Sequence, residues 1–276
     1  MEVIKLNFEV LFSKRLLVRA ASSIVMAIPA LTFVFLGGLY FIAFLAFLAG
    51  VMSWELNDTI HKSKKYTYKI GTAIIVFLIT LIFGIFLEPA FSALHLPFFV
   101  VLLVILTFLI RKFSVVARSL LGNLLVLLSC ISIVWLRFNV ELEYFFWILA
   151  SVVATDIGAF IFGALVGGLK LAPKISPNKT WAGLLGGIIT SIIIAWIFNT
   201  LWLKTEFYSL LLMGATLAIV SQAGDLIESA YKRSYNLKDS SNLIPGHGGF
   251  LDRLDGHMAA GTFMSFIVLY SGGAVV

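Results

Sequence analysis

The stretch from Ala20 to Trp54, AASSIVMAIPALTFVFLGGLYFIAFLAFLAGVMSW, contains no charged residue, and its reading decides the fold class. A helix rises about 1.5 Å per residue, so about 20 apolar residues cross the hydrocarbon core of a bilayer. This run is too long for a single crossing. Gly37-Gly38, near its middle, is a pair that turns freely, so the run predicts two spans. Outward from it, apolar segments recur at 70–87, 97–110, 119–136, 145–168, 181–201, 208–230 and 253–273, which makes nine spans in all. The whole chain agrees: of 276 residues, 61% are hydrophobic and 12% charged, with a mean hydropathy of +1.04. A soluble domain is closer to half apolar and a quarter charged. The fold class predicted is an all-α, polytopic transmembrane helical bundle.

The basic residues test that count, because cytoplasmic segments are enriched in Lys and Arg. Lys5, Lys14, Arg15 and Arg19 precede span 1, and Lys62, Lys64, Lys65 and Lys69 follow span 2. Arg111, Lys112 and Arg118 follow span 4, Lys170, Lys174 and Lys179 follow span 6, and Lys232, Arg233, Lys238 and Arg253 follow span 8. The alternate loops hold only Arg137 and Lys204. Eighteen basic residues against two predict an N-terminus in the cytoplasm. The net charge of +6 is therefore topological, which removes nucleic acid as a partner. The segment before span 1 mixes charged and apolar residues without a short apolar core and cleavage site. It predicts an interfacial lead-in rather than a cleaved signal. The lone Cys130 excludes an intramolecular disulfide framework and argues against a cysteine-based metal site. Glycines at helix-packing spacing, Gly163/Gly167 and Gly183/Gly187, predict close approach between spans.

An ionisable group inside a span is costly, and its default reading is functional. Asp156 lies more than ten residues into span 6 without a basic neighbour in sequence. Asp225, Glu228, Ser229 and Lys232 are linked by steps of three or four residues and share one helical face at the end of span 8; Glu228 and Lys232 are spaced as an intrahelical ion pair. Asp252 and Asp255, in Asp-Arg-Leu-Asp, would share a face if that segment is helical. Before them runs Lys238-Asp239-Ser-Ser-Asn-Leu-Ile-Pro-Gly-His247-Gly248-Gly249, whose glycines let backbone approach a phosphate closely. Carboxylates with few His and no nearby Cys favour Mg²⁺, which bridges carboxylates to substrate phosphates. Basic side chains beside them would bind the remaining phosphate oxygens. Acids for a metal and bases for phosphate, at the cytoplasmic ends of spans, predict phosphoryl or nucleotidyl transfer to a lipid-borne group.

The run Ser229-Ala-Tyr-Lys-Arg-Ser-Tyr-Asn-Leu-Lys-Asp-Ser-Ser-Asn-Leu-Ile-Pro-Gly-His-Gly-Gly-Phe-Leu-Asp-Arg-Leu-Asp255 closely resembles the signature of phosphatidate cytidylyltransferases, also called CDP-diacylglycerol synthases. Thr155-Asp-Ile-Gly-Ala-Phe and Lys170-Leu-Ala-Pro-Lys-Ile-Ser-Pro-Asn-Lys-Thr180 resemble a second region of that family, and the resemblance is strongest over 151–258. The chain departs from the pattern at Trp181-Ala182-Gly183, where many members carry an acidic residue, and at Gly256-His257, where many have Ser after the second aspartate. The resemblance implies CMP transfer from CTP to phosphatidic acid, giving CDP-diacylglycerol and pyrophosphate, with Mg²⁺ as cofactor. It implies Asp225, Asp252 and Asp255 as metal ligands, with Asp156 a fourth. Lys232, Arg233, Lys238 and Arg253 would neutralise phosphates, and Lys174, Ser176, Lys179 and Thr180 would bind nucleotide or lipid phosphate. Ser229, Asp239, His247, Gly248 and Gly249 complete the implied substrate-binding set. It further implies a homodimer in the cytoplasmic membrane, with residues 1–150 as scaffold and 151–276 as the catalytic region. Two other readings stand beside it: a CTP-dependent kinase of a lipid alcohol, which would release CDP, and a secondary transporter using Asp156 and Asp225.

Overall fold

The computed structural model describes residues 14–60, 66–86, 114–245 and 248–271. The charge-free run folds as two helices, α1 (Lys14–Leu36) and α2 (Gly38–Ile60). They break where the glycines predict: Gly37 and Gly38 have φ of +62° and +51°, in the left-handed region that side chains avoid. Helix α2 runs on past Trp54 to Ile60, so Glu55 and Asn57 lie within it and are fully buried. Next come α3 (Tyr66–Phe86), α4 (Val115–Asn139) and α5 (Leu142–Leu165). The predicted span 97–110 lies outside the described residues. Helix α6 (Trp181–Phe198) continues as a π-turn (Asn199–Leu203) that Lys204, at φ 50°, terminates. Then come α7 (Phe207–Ser234) and α8 (Leu251–Tyr270).

Six of these helices are long and apolar enough to cross a membrane: α2, α3, α4, α5, α6 with its π-turn, and α7. Their outward faces are also apolar. On α3 alone Ile74, Ile75, Ile82, Phe83, Ile85 and Phe86 are exposed, a continuous patch that water would not tolerate but lipid does. The fold is thus an all-α polytopic membrane bundle with one short β-hairpin added.

Within the bundle, α2 packs on α3 and α4, and α5 on α6 and α7, while α8 lies against both α4 and α7. One buried apolar cluster runs through both groups, from Phe41 and Met52 to Met264 and Val268. Helix α5 passes through position 150 without a break. The tightest seam is α5 against α6. A Cβ at Gly183 would stand 2.8 Å from the Ala159 carbonyl oxygen, and one at Gly187 2.9 Å from that of Thr155. Gly163 faces Gly183 across this seam, as its spacing predicts. Gly167 does not share that role: α5 has ended by Leu165, and Gly167 turns the chain at φ +64° with nothing facing it.

Candidate active site

The segment after α5 reads as a loop in sequence but forms a hairpin, β1 (Lys170–Ala172) paired antiparallel with β2 (Ser176–Thr180). Lys174 is exposed at its turn, and Ser176 opens β2. The Arg233 guanidinium, from the end of α7, donates to the Ile175 carbonyl (3.1 Å) and the Leu237 carbonyl (2.7 Å), tying the hairpin to that helix end. Thr180 is buried, and its Oγ1 accepts the Gly183 N–H at 3.0 Å, so it caps α6.

Lys179, at the end of β2, reaches across to α7. Its Nζ lies 2.6 Å from Asp225 Oδ2 and donates to Gln222 Oε1 at 2.9 Å. Ser229 Oγ donates to the other Asp225 oxygen at 3.2 Å. Gln222 Nε2 makes a long contact, 3.5 Å, with Asp156 Oδ1 on α5. Asp156 lies within electrostatic reach of Asp225, Lys179 and Arg253, and Asp255 within reach of Asp225 and Asp156. Three carboxylates from three helices therefore lie within electrostatic range of one another, with Lys179 paired to Asp225, and among the described residues no three acids, His or Cys stand close enough together to hold a metal ion. Close approach of α7 and α8 permits this: a Cβ at Gly224 would stand 3.0 Å from the Asp255 carbonyl oxygen.

Asp252 sits elsewhere. It lies in the first turn of α8, with a side chain only 3% exposed, and points back at the preceding loop. Its Oδ2 accepts the Gly249 N–H (2.7 Å), the Ser240 N–H (2.9 Å) and the Ser240 hydroxyl (3.0 Å). Its Oδ1 takes the Lys232 ammonium at 2.6 Å. Burial would raise this carboxyl, but Lys232 and the Gly249 and Ser240 N–H groups outweigh it and hold it below the ordinary aspartate range. Lys232 is itself buried between Asp252 and Glu228, whose Oε2 is 2.5 Å away, the intrahelical pair expected from spacing. The metal set predicted from sequence thus divides. Asp156, Asp225 and Asp255 lie within electrostatic range of one another, whereas Asp252 is turned to the loop, where its carboxylate accepts N–H groups. Lys232 likewise faces carboxylates.

Loop residues 240–245 and 248–251 are held at both ends. Ile244 and Gly248 pair through their backbones at 2.8 and 3.2 Å, and Gly248 adopts φ +86°. Lys238 and Asp239 are exposed before the loop, and His247 lies outside the described residues. The contact that sequence reasoning missed is Glu55 of α2. Its carboxylate accepts the Ser241 hydroxyl (2.6 Å) and the N–H groups of Phe250 (3.0 Å) and Leu251 (2.8 Å). The detectable signal was an acid directly after the charge-free run, inside a helix that does not end at Trp54. Gln222, which links Lys179 to Asp156, was also missed; it stands three residues before Asp225 on the same face.

A family described as the cytidylyltransferase family matches residues 17–271, spanning all of α2 to α8 and most of α1. The chain belongs to the cytidylyltransferase family. Among its relatives, the phosphatidate cytidylyltransferase of Bacillus subtilis is 43% identical over 128 residues, 46% of this chain and 48% of that protein. That of Haemophilus influenzae is 43% identical over 122 residues, 42% of each chain. That of Staphylococcus epidermidis is 45% identical over 118 residues, 42% of this chain and 45% of the relative. The chain thus spans about half the length of the curated relatives it matches.

Proposed function

We infer that this protein is a CTP:phosphatidate cytidylyltransferase, transferring CMP from CTP to phosphatidic acid to give CDP-diacylglycerol and pyrophosphate. The observation that carries this reading is the Lys179–Asp225 ion pair, at 2.6 Å, with Asp156 and Asp255 within electrostatic range of Asp225. It is supported by relatives that bear that name. In the reaction, a phosphate oxygen of phosphatidate attacks the α-phosphorus of CTP. The new O–P bond forms in line as the bond to the β-phosphate bridging oxygen breaks, and pyrophosphate leaves with that electron pair. The nucleophile is already ionised, so no side chain need take a proton from it. The work left to the protein is to orient the two phosphates and neutralise their charge. Lys179 and Arg253 suit that task, Arg253 with a fork that matches two phosphate oxygens.

The donor set fits Mg²⁺. It is carboxylate oxygen without thiolate, and among the described residues no three acids, His or Cys converge to hold an ion by themselves. Mg²⁺ commonly takes one or two carboxylates and completes its shell with water and substrate phosphate. Asp225 and Asp255 would hold it, with Asp156 beside them, and the bound ion would neutralise charge on the triphosphate. Asp252 is assigned instead to holding the 240–251 loop.

The same reading takes the full chain as nine spans, N-terminus inside, in the cytoplasmic membrane as a homodimer, with the site on the cytoplasmic side. The division of basic residues, eighteen against two, supports the orientation. The six apolar helices, together with α1 and α8, are in keeping with the count.

The deciding experiment supplies detergent-purified protein with phosphatidate and CTP labelled at either the α- or the γ-phosphate. Label from the α-position should enter the lipid as pyrophosphate is released, only when Mg²⁺ is present. Entry of the γ-label, with CDP released, would make the protein a kinase and sink the reading.

A further inference from the structure

The first turn of a helix has N–H groups without partners inside the helix. Ser114 caps α4 and Thr180 caps α6 with their own side chains, but α8 has no side-chain cap from its neighbouring Phe250. Glu55 supplies it from α2. One carboxylate oxygen takes the Phe250 N–H and the Ser241 hydroxyl, and the other takes the Leu251 N–H. Glu55 is fully buried, and a Cβ at Gly249 would collide with its carboxylate, so nothing larger than glycine fits beside it. Asp252 bridges the loop in parallel, from Ser240 to Gly249. Thr59, one turn further along α2, donates to the Ser240 carbonyl at 3.3 Å. The turn bearing Arg253 and Asp255 is thereby fixed to α2, a helix that carries none of the acids gathered at the site.

Resting on the cytidylyltransferase reading, we propose that Glu55 is a positioning residue for the reaction: by capping α8 across the bundle and holding Ser241 beside that cap, it sets where Arg253 and Asp255 meet the substrates. Gln at this position is nearly isosteric but offers one acceptor oxygen, so its amide must confront the N–H of Phe250 or Leu251. Asp is one methylene too short to reach both.

The test uses the full chain in detergent, with Glu55→Gln, Glu55→Asp and Ser241→Ala. Two measurements are made: kcat and KM for CTP, and amide hydrogen exchange in substrate-free protein. Glu55→Gln should lower kcat about 10- to 100-fold, the worth of one or two charge-assisted hydrogen bonds. KM for CTP should move less, because Lys179 stays in place. Exchange should quicken in peptides covering 240–253 and stay unchanged in α5 and α6. The double variant Glu55→Gln/Ser241→Ala should lose less than the two single losses combined, since the two residues share one hydrogen bond. Wild-type kcat, or exchange that quickens evenly through the bundle, overturns the proposal. Should Glu55→Gln fail to fold, Ser241→Ala decides: faster loop exchange with lowered kcat supports the proposal, and wild-type values for both reject it. Exchange needs no substrate, so a wild-type protein that never labels lipid would refute the cytidylyltransferase reading and leave the loop result standing.

Discussion

Replacing Asp252 by Asn separates two roles for this residue that spacing alone cannot distinguish. The carboxylate accepts two N–H groups and one hydroxyl at the loop and one ammonium from Lys232. An amide keeps a single acceptor. Turned toward Ser240 and Gly249, it aims its NH₂ at Lys232; turned the other way, it sets NH₂ against two backbone donors. Either orientation removes at least one charge-assisted hydrogen bond, and the first leaves the buried Lys232 with Glu228 alone. Removing one partner of a buried ion pair costs about 3–5 kcal/mol. With Glu228 still in place, the lower end applies, about 3 kcal/mol, which corresponds to roughly a hundredfold loss of the ordered loop and hence of turnover. The assay is incorporation of α-labelled CTP into lipid across a Mg²⁺ titration, alongside limited proteolysis of the 240–251 segment. Asp252→Asn should lose about a hundredfold in kcat, cleave faster within the loop, and keep the wild-type Mg²⁺ half-saturation. Activity restored by tenfold more Mg²⁺ would put Asp252 on the metal and refute the argument. Turnover within a few-fold of wild type would refute it as well.

Asp225→Asn and Asp255→Asn should each nearly abolish turnover while the protein elutes from gel filtration as wild type does; wild-type rates from either would remove that residue from the site. Lys179→Met removes the cation paired with Asp225 and Gln222 and should raise KM for CTP, with Lys179→Arg recovering part of it; an unchanged KM would leave Lys179 a purely topological charge. Thr180→Ala should lower Tm by roughly 2–4 °C through loss of about 1 kcal/mol of capping, and Thr180→Ser should restore it. Gly186→Leu would drive a side chain into Phe162 across the α5–α6 seam and should cost about 1–3 kcal/mol, read as a lower Tm.

Much of the bundle was legible because membrane insertion imposes local rules. The charge-free run and its two glycines located α1 and α2 with their break, since each rule there concerns consecutive residues. The hairpin at 170–180 was not legible: strands this short carry almost no pattern, and part of what holds them is the grip of Arg233 on the Ile175 carbonyl. Glu55 was missed for a related reason, since its partners lie 186 to 196 residues away in the chain. Asp252 is the more instructive case. Three-residue spacing puts Asp252 and Asp255 on one helical face, and the family resemblance implies both as metal ligands. The helix begins at Leu251, however, so Asp252 stands in a first turn beside loop N–H groups, while Asp255 stands one turn deeper, within electrostatic range of Asp225 and Asp156. The electrostatics of a helix terminus act over that one turn. Two identical side chains three residues apart therefore meet different surroundings: Asp252 accepts the loop's N–H groups and the Lys232 ammonium, while Asp255, among the described residues, accepts only its neighbour Gly256 N–H, at 2.7 Å, and lies within electrostatic range of two other acids.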